Sequence, residues 1–372
     1  MLRSTERILT THTGSLPRPE VLQGSAMASP AERLTAAVAE VVQRQIDAGV
    51  DIVNDGEAGK PSYVTYITDR STGFGGAGGG LRADHSDAVD FPDWAESLRA
   101  AVESGFTAPA CIAPVHPTDE GSANRDVHNL LKATQAAGAT EAFMTAASPG
   151  VISMFLENQF YPSHEAYLQA LGDLMRYEYE AISGSGLILQ VDCPDLAAGR
   201  HAQFPTTSLE EWKKIIREHI AALNDATSNI PPENMRLHLC WGNYEGPHNH
   251  DVALREILPL VLSARPAAIS FEAANPRHEH EWRVFEDVVL PDDKVIIPGV
   301  IDSTTNYVEH PELVAERIVR FARIVGRERV IAGTDCGFAT FVDHPVVFPS
   351  IAYAKLASLA EGAAIASEQL WK

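Results

Sequence analysis

No apolar run in the 372 residues reaches the roughly 18 needed to cross a bilayer as a helix, and the opening "MLRSTERILT" lacks the apolar stretch of a signal peptide. The chain therefore reads as a cytoplasmic protein without a spanning helix. Cysteine is scarce: Cys111, Cys193, Cys240 and Cys336 are too few and too scattered to frame a fold with disulfides. Positive charge is also short. Against 50 acidic residues stand 29 Lys and Arg, a formal charge of −21 that repels phosphate backbones and anionic lipid. Nucleic acid and membrane surfaces are thereby excluded as partners. There is no repeat of fixed period, no low-complexity linker and no G-x-x-x-x-G-K-[ST] phosphate loop.

What is present is a regular beat of apolar runs and amphipathic stretches. Residues 30–48 begin with proline, keep helical spacing and close at Gly49, and "DIVND" follows as a strand. Candidate strands are 51–54, 107–113, 141–147, 187–192, 235–241, 267–272, 294–300 and 329–334. Stretches 163–183, 207–225, 251–263 and 310–325 are long enough to be crossover helices. Eight near-continuously apolar strands, each followed by a helix, predict a (β/α)8 TIM barrel rather than an open sheet. Residues 1–372 are expected to form one such domain, with an N-terminal extension and a Gly-rich insertion, "FGGAGGGLRADHSDAVDF" (74–91), after the first strand. That insertion reads as a lid or surface loop.

Chemistry in such barrels sits at the C-terminal ends of the strands. There the sequence places Asp55 and Glu57 after the first strand, Asp192 and Cys193 at the fourth, His238 and Cys240 at the fifth and Glu272 at the sixth. Asp302 follows the seventh, and Asp335 and Cys336 follow the eighth. In "RLHLCWGN", positions i and i+2 of a strand share a face, so His238 and Cys240 present a nitrogen and a sulfur side by side. With Glu272 and Cys336 they make a set of one nitrogen, two sulfurs and one oxygen, which favours zinc over magnesium or calcium. The competing reading keeps Cys336 as a small buried hydrophobe and Glu272 as a salt-bridged carboxylate. The pairs His248/His250 and His278/His280 fall among helix-start signals and read as loop or surface histidines. Trp241, Asn243 and Tyr244 follow the ligand strand directly and are placed to wall a pocket, while Cys111 and Cys193 look non-ligating.

An ordered set of segments, "THTGSLPRP" (11–19), "DIVNDGEAGK" (51–60), "LILQVDCPDL" (187–196), "LHLCWGN" (237–243), "ISFEAAN" (269–275), "PGVID" (298–302) and "GTDCGF" (333–338), resembles the C-terminal catalytic barrel of the cobalamin-independent methionine synthase family. That family lies within the superfamily of uroporphyrinogen decarboxylase-like barrels. The resemblance implies one zinc on His238, Cys240, Glu272 and Cys336, which binds the thiol of homocysteine, lowers its pKa and presents a thiolate to a methyl donor. It further implies that the substrate ammonium meets Glu57 and Asp192, and that its carboxylate meets the segment of Gly14 and Ser15.

The departures are equally specific. The family's second, N-terminal barrel has no counterpart, and its catalytic histidine falls at Thr304 in "VIDSTTN", which leaves Asp302 as the nearest titratable group. No folate-binding match is evident around "TAPACIAPVHP". The expected activity is a zinc-dependent methyltransferase of the 5-methyltetrahydropteroyltriglutamate-homocysteine type, with methyltetrahydrofolate or a methyl-corrinoid, carried by a corrinoid protein, as donor. The alternative is an epoxyalkane:coenzyme M transferase-like opening of an epoxide by a zinc thiolate. Coenzyme M carries a sulfonate, which calls for an arginine, and Arg18 in "GSLPRP" is the candidate. A decarboxylase has no use for the Cys-Cys-His-Glu set, and a homo-oligomer stays open.

Overall fold

A computed structural model describes residues 1–22, 29–78, 86–96, 108–118, 121–340 and 347–372. Helix Pro30–Asp47 shows how local signals set the elements. The Ser29 hydroxyl accepts from the Glu32 amide, the Glu32 carboxylate accepts from the Ser29 amide, and Pro30 opens the first turn. Its Val38, Val41 and Val42 face the interior, and the chain passes from it into a buried strand. Helices His164–Gly184, Leu209–Ala226, Leu254–Val261 and Pro311–Val325 follow the amphipathic stretches, and Gly121–Ala137 and Pro349–Leu370 join them.

The strands are β1 (Leu9–Thr10), β2 (Ile52–Val53), β3 (Ser71–Gly75), β4 (Ala110–Pro117), β5 (Glu141–Ala147), β6 (Ile188–Asp192), β7 (Met235–Leu239), β8 (Ala268–Phe271), β9 (Val295–Ile301) and β10 (Ile331–Thr334). Among the described residues, eight of them pair in parallel in the order β1-β10-β9-β8-β7-β6-β5-β2. The two ends of that series meet where the Asp51 amide donates to the Thr10 carbonyl at 3.2 Å and the Thr11 hydroxyl donates to the Ile52 carbonyl at 3.0 Å. The sheet thus closes on itself as a (β/α)8 barrel.

Two expectations about the first strands are corrected. The run 107–113 does yield a strand, but β4 pairs antiparallel with β3 in a separate two-stranded ribbon, and residue 107 lies outside the described residues. The first barrel strand is instead β1, within what reads from sequence as an extension. The Gly-rich insertion accordingly follows the second barrel strand, and its residues 79–85 lie outside the described residues. Among the described residues, no helix is long and apolar enough to cross a membrane.

Inside the barrel, side chains alternate between the ring of helices and the axis. At the base, Leu9, Ile52, Phe143, Ile188, Ala268, Val295, Ile297 and Ile331 form a closed apolar layer. Above it the axis turns polar, with Gln190, Arg236, Asp192 and His238 all buried. β6 and β7 carry that change of character, since Gln190 and Asp192 share one face of the first, and Arg236 and His238 one face of the second.

Candidate active site

The thiols come from two turns at the barrel mouth. Cys240 follows β7 directly and Cys336 follows β10, with their sulfurs 3.8 Å apart. His238, Cys240 and Cys336 each bring one donor atom within 4.8 Å of the other two. Sulfurs sharing one tetrahedral zinc, at about 2.3 Å each, lie about 3.8 Å apart, so the thiol spacing fits that ion. Neither ring nitrogen of buried His238 has a hydrogen-bond partner among the described residues. Burial, with the Arg236 charge beside it, depresses the imidazole pKa to about 3 and leaves it neutral, the form a metal requires. Cys336 beside it, together with burial, pushes the Cys240 thiol well above its ordinary value, a state that a cation between the two sulfurs would reverse.

Glu272, on the turn after β8, stands outside that close trio. Its Oε1 accepts from the Trp241 amide at 2.8 Å and its Oε2 from the Asn275 side chain at 3.1 Å. Burial raises its pKa, and it remains the fourth candidate ligand by position. Asp335 packs beside it with three backbone amides, those of Ala273, Ala274 and Asn275, at 2.7–2.9 Å. A Cβ on Gly299 would lie 2.2 Å from Asp335 Oδ1, so only glycine leaves that carboxylate its place.

Across the mouth lies a second group. Gly56 and Glu57 both take left-handed backbone angles, φ +65° and +56°, in a turn pinned by Asn54 and Asp55 side chains. A left-handed glutamate is uncommon, and here it aims the carboxylate inward. Glu57 Oε1 accepts from the Thr145 hydroxyl at 3.0 Å, while Oε2 is buried without a partner among the described residues. Burial, then the proximity of Glu57, raises Asp192 to about 8. Two desolvated carboxyls, one with an unpartnered oxygen, give this side of the mouth acceptors of the kind a cation takes. Gly14 runs against Glu57: a Cβ there would lie 2.9 Å from Glu57 Oε1 and 2.7 Å from the Thr145 methyl. Ser15 sits against Gly337, beside Cys336, and thereby links the carboxylate side to the thiol side.

Several groups take parts that sequence reasoning missed. Lys60, inside the quoted "DIVNDGEAGK", donates to the Thr145 carbonyl at 2.6 Å and tempers the carboxylates around it. The Tyr63 phenol is driven well above its ordinary value by burial and by nearby Cys240, Cys336, Asp192 and Glu57. His248 and His278 are buried rather than on the surface. Both donate to Asp251 Oδ2, at 2.8 and 2.9 Å, and His278 also bonds Glu281 at 2.8 Å. Burial works to lower the His278 pKa, but Asp251 and Glu281 outweigh it and raise the value to about 10. Their signal in the sequence was the pairing of each histidine with an acidic residue three positions on.

The remaining sequence candidates hold the frame. Trp241 is fully buried, stacked on His278 at 4.1 Å and bonded to the Val252 carbonyl, so it backs the site rather than walls it. Asn243 donates to the Gly337 carbonyl and the Thr340 hydroxyl and accepts from Ser303, which ties three loops together. Asp302 accepts from the amides and hydroxyls of Thr304 and Thr305. Burial opposes ionisation there, but those bonds outweigh it and keep the carboxyl below its ordinary value. Arg18 spends its two terminal nitrogens on the carbonyls of Leu16, Gly56 and Lys60. Cys193 turns its thiol to the Val191 carbonyl at 3.6 Å, and Cys111 lies on β4.

A methionine synthase from Saccharolobus solfataricus is 22% identical over 373 residues, which take in 97% of this chain and 95% of that one. A 2-hydroxypropyl-CoM lyase from Xanthobacter autotrophicus is 27% identical over 188 residues, 44% of this chain and 47% of its own. Among solved structures, a B12-independent methionine synthase from Shewanella sp. W3-18-1, in complex with selenomethionine, superposes with a TM-score of 0.76 at 20% identity. It covers 98% of this chain and 99% of its own, and so shares the barrel. The family model described as cobalamin-independent synthase, catalytic domain, matches residues 154–356. That span takes in β6 to β10 with the His238, Cys240 and Cys336 cluster, and the chain belongs to this family.

Proposed function

We propose that the barrel acts as a single catalytic unit, a zinc-dependent thiol alkyltransferase that methylates homocysteine or a similar aminothiol from methyltetrahydrofolate or a methyl-corrinoid. The observation that carries the reading is one mouth holding two chemistries: a nitrogen and two sulfurs within 4.8 Å, and, opposite them, the carboxylates of Glu57 and Asp192. His238, Cys240 and Cys336 would hold the zinc, with Glu272, now bonded to the Trp241 amide and the Asn275 side chain, as the candidate fourth ligand. Zinc there would supply the Lewis acidity that keeps a thiol ionised near neutral pH. Glu57 and Asp192 receive the substrate ammonium, and the Gly14–Ser15 segment receives its carboxylate. Asp302, held ionised by Thr304 and Thr305, organises the turn where the family places a histidine, which makes it a poor proton donor. The Saccharolobus relative, named as a methionine synthase, supports the substrate class.

The part-length likeness to 2-hydroxypropyl-CoM lyase favours a second reading, in which a sulfonate-bearing thiol opens an epoxide. Two observations weigh against it: Arg18 is occupied with backbone carbonyls, and the Glu57 carboxyl, with its Oε2 unpartnered among the described residues, is ill suited to meet a sulfonate. The deciding experiment is elemental analysis for zinc, followed by calorimetric titration of the loaded protein with homocysteine and with coenzyme M. Proton-releasing binding of homocysteine alone is expected. Binding of coenzyme M alone would replace the first reading by the second, and absence of zinc after reconstitution would remove both.

A further inference from the structure

Gln190 occupies the junction between the two halves of the amino-acid pocket. It lies on β6 two residues before Asp192, with 0% exposure. Its Oε1 accepts from Arg236 Nε at 2.6 Å, and its Nε2 donates to Asp192 Oδ1 at 2.7 Å and to the Thr13 carbonyl at 2.5 Å. A guanidinium only donates, so the carboxamide oxygen must face Arg236, and the amide hydrogens must face the two acceptors. Arg236 is itself fixed. It donates to the Thr11 hydroxyl at 2.9 Å and the His12 carbonyl at 2.7 Å, and its guanidinium lies 3.3 Å over the Phe143 ring.

We propose that Gln190, oriented by Arg236, is the positioning residue that sets selectivity for thiols bearing both an ammonium and a carboxylate on one carbon. The proposal rests on the aminothiol reading above. Through one planar amide it fixes the Asp192 carboxylate relative to the Thr13 carbonyl, and Thr13 leads directly into Gly14 and Ser15. The ammonium-receiving and carboxylate-receiving groups are thereby held at one separation. The spacer also solves an electrostatic problem. Arg236 in direct contact with Asp192 would offset the carboxylate's charge and weaken its pull on an ammonium. A neutral amide between them passes on the orientation without placing a positive charge against the carboxyl that meets the ammonium.

The test uses zinc-loaded full-length protein and three probes: homocysteine, 4-mercaptobutanoate, which lacks the amine, and 3-mercaptopropylamine, which lacks the carboxylate. Wild-type protein should bind homocysteine tightest by calorimetry. Gln190→Glu, which keeps an acceptor toward Arg236 and loses the donor, should weaken homocysteine by roughly 10- to 100-fold, the scale of a hydrogen bond to a charged group. The two analogues, which engage only one half of the pocket, should change less than about 3-fold, as for removal of a weak neutral contact. Arg236→Lys, which keeps the charge and loses the fork, should act in the same direction. Zinc content is measured in each variant to confirm a folded mouth. Equal weakening of all three thiols, or unchanged homocysteine binding, would overturn the role of Gln190. Equal binding of all three thiols by the wild-type protein would instead overturn the aminothiol reading.

Discussion

The two ends of the barrel interior lie on one ring of strands and have opposite characters. At the base, aliphatic side chains and Phe143 close the axis with no group that could react. At the mouth, a few residues further along the same strands, thiols, carboxylates and an imidazole converge, several of them desolvated and lacking partners. The difference teaches where stability and chemistry are kept: the base supplies burial, and the mouth spends it on strained or unsatisfied groups such as left-handed Glu57.

Substitutions at the two ends should therefore fail in different ways. The largest effect is expected for Cys336→Ser, which should lose activity altogether and weaken zinc by more than the roughly 10- to 100-fold typical of an outer partner. Circular dichroism should report an intact barrel, and stoichiometric zinc in this variant would remove Cys336 from the ligand set. Asp192→Asn comes next, with an expected rise in KM for homocysteine of roughly 10- to 100-fold and a smaller change in kcat. The same variant should behave oddly in stability. An aspartate whose folded value is raised to about 8 costs the fold nothing below its unfolded value near 4, and its cost grows as pH climbs toward 8. Asn removes that loss, so denaturant melts without substrate should show the variant gaining on wild type between pH 5 and 8. A constant difference across that range would mean that the carboxyl is not raised.

At the base the expectation reverses. Ile331→Ala should cost about 2–5 kcal/mol of unfolding free energy while zinc content and KM stay at wild-type values. A selective loss of homocysteine affinity there would break the division between the two ends. The smallest effect is expected at Thr304→His. If solvent serves as proton donor, turnover should change by less than about 3-fold, well under the 10²–10⁴ of a general acid. A large gain with methylfolate would mean that the missing histidine limits the reaction.

The base and the mouth were also unequally legible in the sequence. His238 and Cys240 could be paired because a strand repeats every two residues, and Cys336 because it follows an apolar run. Most barrel strands were readable as runs buried on both faces. β1 was not, since two residues carry no period, and only pairing with β10 makes them a strand. β4 shows the converse: its local signal is real, but the partner that places it outside the barrel lies at Ser71–Gly75. Gln190 and Arg236 share faces with Asp192 and His238 and were visible by that same two-residue rule. Yet nothing local says that a polar side chain within an apolar strand will find its partners across the axis. His248 and His278 escaped for a similar reason, because Asp251, on which both converge, becomes their common partner only once the loops fold together.

The seam between β1 and β10 also bears on time. Strands β5 to β9 can each zip onto a sequence neighbour as the chain collapses, but Leu9 must find Ile331 across almost the whole length of the polypeptide. Contacts of such separation are slow to form, because a long loop must be ordered before they repay it. Thr11, His12 and Thr13, on which Arg236 and Gln190 hang, ride on that final join. A partly folded molecule could thus assemble its thiol and imidazole donors while still blind to the amino acid, and would learn to recognise it only when the ring shuts.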